Sequence, residues 1–162
     1  MNHYAVNAVE DALYSYKKHV LDFARIASIK VSDVKDFKFK KFVNQYSLSK
    51  LVNTHGIYLI CEHGSHPWDD VPVVFYCGQT LKCFVSRIKS HCKSLRYPEH
   101  KTESTGRSFS KFMIDSTQIF DIYVIHSEIL GITTHEQSIM SEKAYQDIFD
   151  VIVKDTKYIK LT

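Results

Sequence analysis

A chain of 162 residues, 44% hydrophobic and 24% charged, is long enough to bury a core without help from disulfides or metal ions. Its formal net charge of +3 permits nucleic-acid binding without requiring it, and no apolar run in it is long enough to span a membrane. The four cysteines show neither a CxxC pair nor zinc-finger spacing, which argues against a zinc site, although His63 and His66 near Cys61 leave one open, and favours free thiols in a reducing cytosol.

The first predicted element is an amphipathic helix over residues 7–28. Asn7 is a suitable N-cap, and Glu10, three residues later, completes a capping-box pattern. The apolar residues that repeat at helical spacing are Val9, Ala12, Leu13, Tyr16, Val20, Phe23, Ala24 and Ala27. We expect this helix to pack on the sheet of the domain or on another subunit.

Residues 31–50 interleave aromatic and basic side chains. The residues concerned are Phe37, Phe39 and Phe42, with Lys38, Lys40 and Lys41 between them and Lys35 two positions before. This pattern is typical of a segment that follows a phosphate backbone and stacks on bases. An edge strand or short helix whose lysines are only solvated fits it equally well. Residues 1–50 are therefore predicted to form a helical, basic and aromatic extension of a domain that covers residues 51–162.

Two short apolar runs then predict an antiparallel hairpin. They are GIYLI at 56–60 and FYCGQT at 75–80, and the stretch between them is rich in Gly, Pro and Asp. The helix predicted next has an apolar stripe formed by Leu81, Phe84, Val85, Ile88, Cys92 and Leu95. Arg87 and His91 lie one turn apart on this helix and therefore point the same way.

The later elements complete an α+β pattern. A polar stretch over residues 99–107 is followed by a predicted short helix over 108–115 and a predicted strand over 119–125. With a final helix, the order of elements is β, β, α, α, β, α. This order predicts a small three-stranded antiparallel sheet flanked by helices.

The final helix can begin with a capping box formed by Thr134 and Gln137, or by Thr133 and Glu136. On this helix Glu142 borders the packed side. A carboxylate placed there must find a cation or stay solvated, because burying an unpaired charge is costly.

The ordered set of GIY at 56–58, YCG at 76–78, and a helix with Arg87 and His91 resembles the GIY-YIG nuclease family. Members of that family also carry a glutamate on a later helix, and Glu142 is the best candidate for it. The resemblance covers roughly residues 56 to 149, more than half of the chain. It implies the small antiparallel sheet of that family.

Two features depart from the family pattern. Cys77 stands where members usually have an aliphatic residue, and no asparagine follows the helix that carries the glutamate. Glu128 and Glu136 are alternatives to Glu142 as the glutamate of the site.

The resemblance implies a Mg²⁺-dependent endonuclease, with Mn²⁺ as a substitute, that hydrolyses phosphodiester bonds of double-stranded DNA. Compact restriction enzymes and phage nucleases that degrade host DNA are the members it resembles most. Tyr58 would activate the water, which requires its pKa to be lowered from about 10 by a positive charge or by a hydrogen bond to Tyr76 or His91. Arg87 would clamp a phosphate oxygen through its planar guanidinium, and Glu142 would hold the cation.

Contacts with DNA are predicted for a larger set of residues. They are Gly78, Gln79, Thr80, Lys82, Lys89, Lys38, Lys40, Lys41 and Arg107. At Gly78 the missing side chain would let the backbone approach the phosphate. Because one active site must cut two strands, we expect a homo-oligomer, acting in the cytoplasm of a bacterium or of a phage host. The alternative is a catalytically inactive nucleic-acid-binding or interaction module with the same fold.

Overall fold

The structure, a computed structural model, describes residues 13–34, 39–45, 48–96 and 117–151. Within these ranges four strands form one antiparallel sheet in the order β1-β4-β2-β3. The strands are β1 (Ala24–Lys30), β2 (Gly56–Glu62), β3 (Val74–Thr80) and β4 (Ile119–His126). The helices are α1 (13–18), α2 (Phe39–Gln45), α3 (Phe84–Arg96), α4 (Ser127–Leu130) and α5 (His135–Ile148). None of the helices in this part of the chain is long and apolar enough to cross a bilayer.

The predicted α+β class is confirmed, but the prediction of three strands is wrong because β1 adds a fourth. This strand lies in the segment predicted to be helical up to residue 28. The helix instead ends in a 3-10 turn at His19–Asp22, and Phe23 is extended with ψ of 132°. Ala27 and Ile29 are then buried as alternate residues of a strand. Pairing with β4 satisfies the backbone groups of this stretch, so the tertiary structure overrides a helical spacing that the sequence also carries.

The predicted hairpin is confirmed as β2 and β3, with Tyr58 opposite Gly78 and Ile60 opposite Tyr76. The glycine that opens β2 is required by the central position of that strand. Gly56 has φ of 152°, and a Cβ at this position would overlap the backbone of β4 at Ile125. A side chain there would push β2 away from the strand beside it.

The two faces of the sheet carry separate cores, because side chains of a strand alternate between faces. On one face the buried side chains of α3 pack on the hairpin and on β4; this core includes Tyr58, Ile60, Tyr76, Phe84, Val85, Ile88, Cys92, Ile122 and Val124. On the other face α5 packs; this core includes Ile57, Leu59, Cys77, Tyr123, Ile125, Tyr145 and Phe149. Both tyrosines of the two tripeptide motifs therefore face the helix that carries Arg87 and His91.

The helix ends follow local signals. Thr80 accepts hydrogen bonds from the backbone N–H groups of Lys82 and Cys83, and α3 begins at Phe84. At the start of α5, Thr134 and Gln137 form the capping box that was one of the two predicted, with both hydrogen bonds at 3.2 Å. The strand predicted over 119–125 is confirmed as β4.

Several predicted features lie outside the described residues. They are the capping box at Asn7 and Glu10, the polar stretch over 99–107 and the short helix over 108–115. In the segment 31–50, where a strand and a short helix were both open, residues 39–45 form a helix.

Candidate active site

Two tyrosines and a histidine pack together on the α3 face of the sheet. The Tyr58 hydroxyl lies 2.9 Å from Nε2 of His91. The Tyr58 and Tyr76 rings are stacked with centroids 6.0 Å apart, and Tyr76 meets His91 edge to face at 4.7 Å. All three side chains are buried. The hairpin thus places the two phenols side by side, and α3 brings the imidazole to them.

Arg87 and Glu142 act on the same phenol. The Arg87 guanidinium and the Tyr76 hydroxyl are hydrogen-bonded to the Tyr58 hydroxyl, and the charges of Arg87 and Glu142 both influence it. Glu142 is only 4% exposed, whereas Arg87 is half-buried. The structure therefore brings Tyr58, Tyr76, Arg87 and His91 together from β2, β3 and α3, and the charge of Glu142 on α5 also acts on Tyr58.

The two other glutamates considered for this site lie elsewhere. Glu128 on α4 and Glu136 in the first turn of α5 are both exposed. Of these three glutamates, Glu142 is the one whose charge acts on the Tyr58 phenol.

The protonation state of Tyr58 differs from the one expected for a water-activating base. Burial raises the pKa of Tyr58, while the Arg87 charge lowers it, the Glu142 charge raises it, and the hydrogen bonds from Tyr76 and Arg87 lower it. Burial dominates, so the net pKa is well above the ordinary value. A nearby positive charge and a hydrogen bond from Tyr76, either of which was predicted to lower the pKa of Tyr58, are both present, yet Tyr58 of the protein alone is a neutral phenol.

His91 accepts the hydrogen bond of the Tyr58 hydroxyl. Burial, reinforced by the Arg87 charge, lowers the pKa of His91 to about 3. The imidazole is therefore neutral near pH 7 and can accept a hydrogen bond. A guanidinium can only donate, so we assign the phenol proton to Nε2 of His91 and the imidazole proton to Nδ1.

We expect the neutral His91 to make the protein acid-sensitive. Below the unfolded pKa of about 6.5 the unfolded chain binds a proton at this residue that the folded chain does not bind until about pH 3. The free energy of unfolding should therefore fall as the pH drops from about 6 to about 4, by up to about 1.4 kcal/mol per unit from this group. Denaturant unfolding of wild type and His91→Gln over this range measures the difference in slope. The contributions of the other titrating groups are the same in both proteins and cancel in the difference. Equal slopes of unfolding free energy against pH for the two proteins would contradict a neutral, buried His91.

The glycine of the YCG motif supports the Tyr58 ring. A Cβ at Gly78 would overlap the hydroxyl and the ring of Tyr58. The phenol of Tyr58, on the opposite strand, therefore occupies the space beside Gly78 that a phosphate was predicted to approach. Gly78 therefore lets the cross-strand tyrosine lie flat on β3 and sets the depth at which its hydroxyl meets His91.

The residues predicted to contact DNA fall into three groups. Gln79 and Thr80 are 6% exposed and use their side chains within the fold, in bonds to Ser138 and to the N–H groups before α3. The exposed members are Lys41, Lys82 and Lys89. Lys38, Arg107 and the side chain of Lys40 lie outside the described residues.

The chain was also compared with known proteins. No family model, curated protein or solved structure matches it. The candidate site therefore depends on the geometry of its own residues.

A divalent cation fits the donor set of this site. The described residues include no cluster of three or more His, Cys, Asp or Glu side chains that could hold a metal ion. Mg²⁺ does not need one, because it keeps several waters and takes further oxygen ligands from substrate phosphates. Glu142 offers a buried carboxylate whose charge acts on the Tyr58 phenol, and Arg87 offers a guanidinium hydrogen-bonded to the same phenol. These residues fit one Mg²⁺ completed by its substrate.

A second buried carboxylate, which the sequence analysis did not single out, has a structural role. Asp121 on β4 accepts hydrogen bonds from Ser28 at 2.7 Å, from Nδ1 of His63 at 2.9 Å and from the Gly64 N–H at 3.0 Å. Burial alone would raise the pKa of Asp121, but these bonds outweigh it and hold the pKa below its ordinary value. Asp121 thus ties the loop after β2 to β1, on the face opposite the Tyr58 site.

Proposed function

We propose that this protein is a Mg²⁺-dependent endonuclease that hydrolyses phosphodiester bonds of double-stranded DNA. The observation that carries the proposal is the convergence of Tyr76, Arg87 and His91 on the hydroxyl of Tyr58, with the charge of the buried Glu142 acting on the same phenol. These residues come from four elements and span 85 positions from Tyr58 to Glu142, so local sequence spacing alone does not bring them together. A core needs none of these polar groups, and burying them without partners would be costly.

The arrangement supplies a proton acceptor and a phosphate clamp. In our proposal the hydrogen bond to Nε2 of His91 orients the hydroxyl of Tyr58, Tyr58 releases its proton to solvent, and the phenolate removes a proton from the attacking water. The hydrogen bonds of Tyr76 and Arg87 stabilise the negative charge on the phenolate oxygen. Arg87 also binds a non-bridging oxygen of the scissile phosphate, where charge increases in the transition state.

Glu142 is the proposed ligand of the cation. When bound, Mg²⁺ supplies positive charge to the phosphate and polarises an oxygen bound to it. The Glu142 charge raises the pKa of Tyr58 in the free protein, so neutralising this carboxylate removes one of the obstacles to forming the phenolate. A single residue is thus coupled to both the cation and the base.

The exposed side of α3 provides a surface for the DNA backbone. Lys82, just before the helix, and Lys89 and Lys93 within it are exposed, and the sequence of α3 contains no acidic residue. Arg87 lies on the same helix, so a phosphate backbone that follows these lysines would be led to the site. Because one site cuts one strand, the proposal includes a homo-oligomer for cleavage of a duplex.

Digestion of a plasmid tests the proposal. We expect the purified protein to nick or linearise supercoiled DNA with Mg²⁺ or Mn²⁺, and to lose this activity when a chelator is added. Sequencing of the cut ends then reveals any recognition site. Salt-dependent DNA binding without cleavage under either metal would refute the enzyme and favour the inactive binding module.

A further inference from the structure

The contact between α5 and β3 contains polar side-chain bonds at three successive turns of the helix. Ser138 donates to Oε1 of Gln79 at 2.6 Å, and Gln146 donates to the backbone carbonyl of Cys77 at 3.2 Å. Between them, the Cys77 thiol lies 3.8 Å from the backbone carbonyl of Glu142, a weak hydrogen bond. Residues 138, 142 and 146 are four apart and therefore share one side of α5.

The residues that form these bonds flank two residues of the candidate active site, Gly78 and Glu142. Their partners on β3, Cys77 and Gln79, flank Gly78, on which the Tyr58 phenol lies. Their partners on α5 flank Glu142 by one turn on each side. The same contact therefore joins the strand on which the Tyr58 phenol lies to the helix that carries Glu142.

Hydrogen bonds make this contact sensitive to the register of the helix. Ser138, Gln79 and Gln146 are each at most 6% exposed, so a lost partner would leave a buried polar group unsatisfied at a cost of about 1–3 kcal/mol. Apolar side chains alone would tolerate a slide of α5 along the strand. A slide by one residue would move Glu142 by about 1.5 Å and turn it by about 100° around the helix axis.

We propose that Gln79 and Ser138 are positioning residues that hold Glu142 at the level of the Tyr58 hydroxyl, so that carboxylate and phenol act on one cation and one phosphate. This inference rests on the proposed nuclease function. It gives Gln79 a role different from the DNA contact predicted from the sequence. The bond length, the near-complete burial of both partners and their place beside Gly78 and Glu142 support that role.

The test compares Ser138→Ala and Gln79→Met with Ser28→Ala. The control removes a similar serine hydroxyl, whose 2.7 Å bond to Asp121 lies on β1, away from the site. We expect Ser138→Ala and Gln79→Met each to need about tenfold more Mg²⁺ for half-maximal cleavage, with the KM for DNA unchanged. The double variant should need no more Mg²⁺ than either single variant, because the same hydrogen bond is lost in all three variants. Ser28→Ala should lower the unfolding temperature but leave the Mg²⁺ dependence as in wild type.

Mn²⁺ binding in the absence of DNA gives a readout that does not depend on cleavage. Electron paramagnetic resonance should show a binding site that is lost in Glu142→Gln and weakened about tenfold in Ser138→Ala and Gln79→Met. If wild type cuts DNA while Ser138→Ala and Gln79→Met match Ser28→Ala in both metal measurements, the positioning role is wrong and the nuclease proposal stands. A higher KM for DNA in Gln79→Met at unchanged Mg²⁺ dependence would also overturn it, in favour of a DNA contact. A wild-type protein that does not cut DNA removes both proposals.

Discussion

Replacement of Glu142 by glutamine is expected to reduce Mg²⁺-dependent DNA cleavage by at least about a thousandfold, because a catalytic cation contributes several kcal/mol to transition-state stabilisation. The amide keeps the size of this buried side chain but loses the charge that holds the cation. The same change removes a charge that raises the pKa of Tyr58. The phenolate then forms more easily, so a loss of cleavage must come from the missing metal ligand. Single-turnover cleavage of a labelled duplex measures the effect.

The matched control for this variant is Glu136→Gln on the same helix. Glu136 is exposed in the first turn of α5 and was one of the alternatives for the metal ligand. We expect this variant to cut like wild type and both variants to bind DNA in the absence of metal within about twofold of wild type. Metal-dependent cleavage that survives in Glu142→Gln would show that the cation is held elsewhere.

Removal of the Tyr58 hydroxyl is expected to lower kcat by about a hundredfold to ten-thousandfold, the range that one positioned acid–base group supplies. The phenyl ring of Tyr58→Phe still packs on Gly78, and Arg87 remains to bind phosphate, so the KM for DNA should change little. Rate measurements at saturating DNA separate the two constants. A variant that keeps more than about a tenth of the wild-type kcat would exclude Tyr58 as the base.

The pH dependence gives a second signature of Tyr58. Its pKa lies above the ordinary value because of burial, so the phenolate fraction increases as the pH increases. We therefore expect the logarithm of the wild-type kcat to rise from about pH 7 to about pH 9, and that of Tyr58→Phe to stay flat.

Tyr145→Phe is the matched control for the Tyr58 variant. Tyr145 is also buried, and burial raises its pKa, but its hydroxyl donates to the backbone carbonyl of Tyr16 on the other face of the sheet. Tyr145→Phe should lower the free energy of unfolding by about 1 kcal/mol, as Tyr58→Phe does. It should keep both the wild-type kcat and the wild-type pH profile.

Much of the candidate site could be predicted from the sequence because its local elements are strongly specified. The alternation around Tyr58 and Tyr76, with a turn between them, determines which strand faces carry the phenols. The apolar stripe of α3 determines that Arg87 and His91 lie one turn apart on its border. Glu142 was placed on the right side of its helix by its spacing from Tyr145 and Phe149, both of which are buried.

Other features could not be predicted because they depend on contacts between distant segments. Residues 24–30 carry apolar side chains at spacings that suit a helix, and only the unpaired edge of β4 makes them a strand. Gln79 follows the glycine of the YCG motif and was predicted to contact DNA. Gln79 is buried by its contact with Ser138, which lies 59 positions later in the sequence.

The amino-acid sequence by itself determined the α+β class, the hairpin with its two tyrosines, the amphipathic α3 and the capping box of α5, since each depends on neighbours a few residues apart. Only the tertiary structure decided the fourth strand, the bond from Ser138 to Gln79 and the neutral states of Tyr58 and His91. The physical reason is burial. The pKa of a side chain and the availability of its polar atoms are set by which distant segments exclude water from it, and this is not encoded in local spacing.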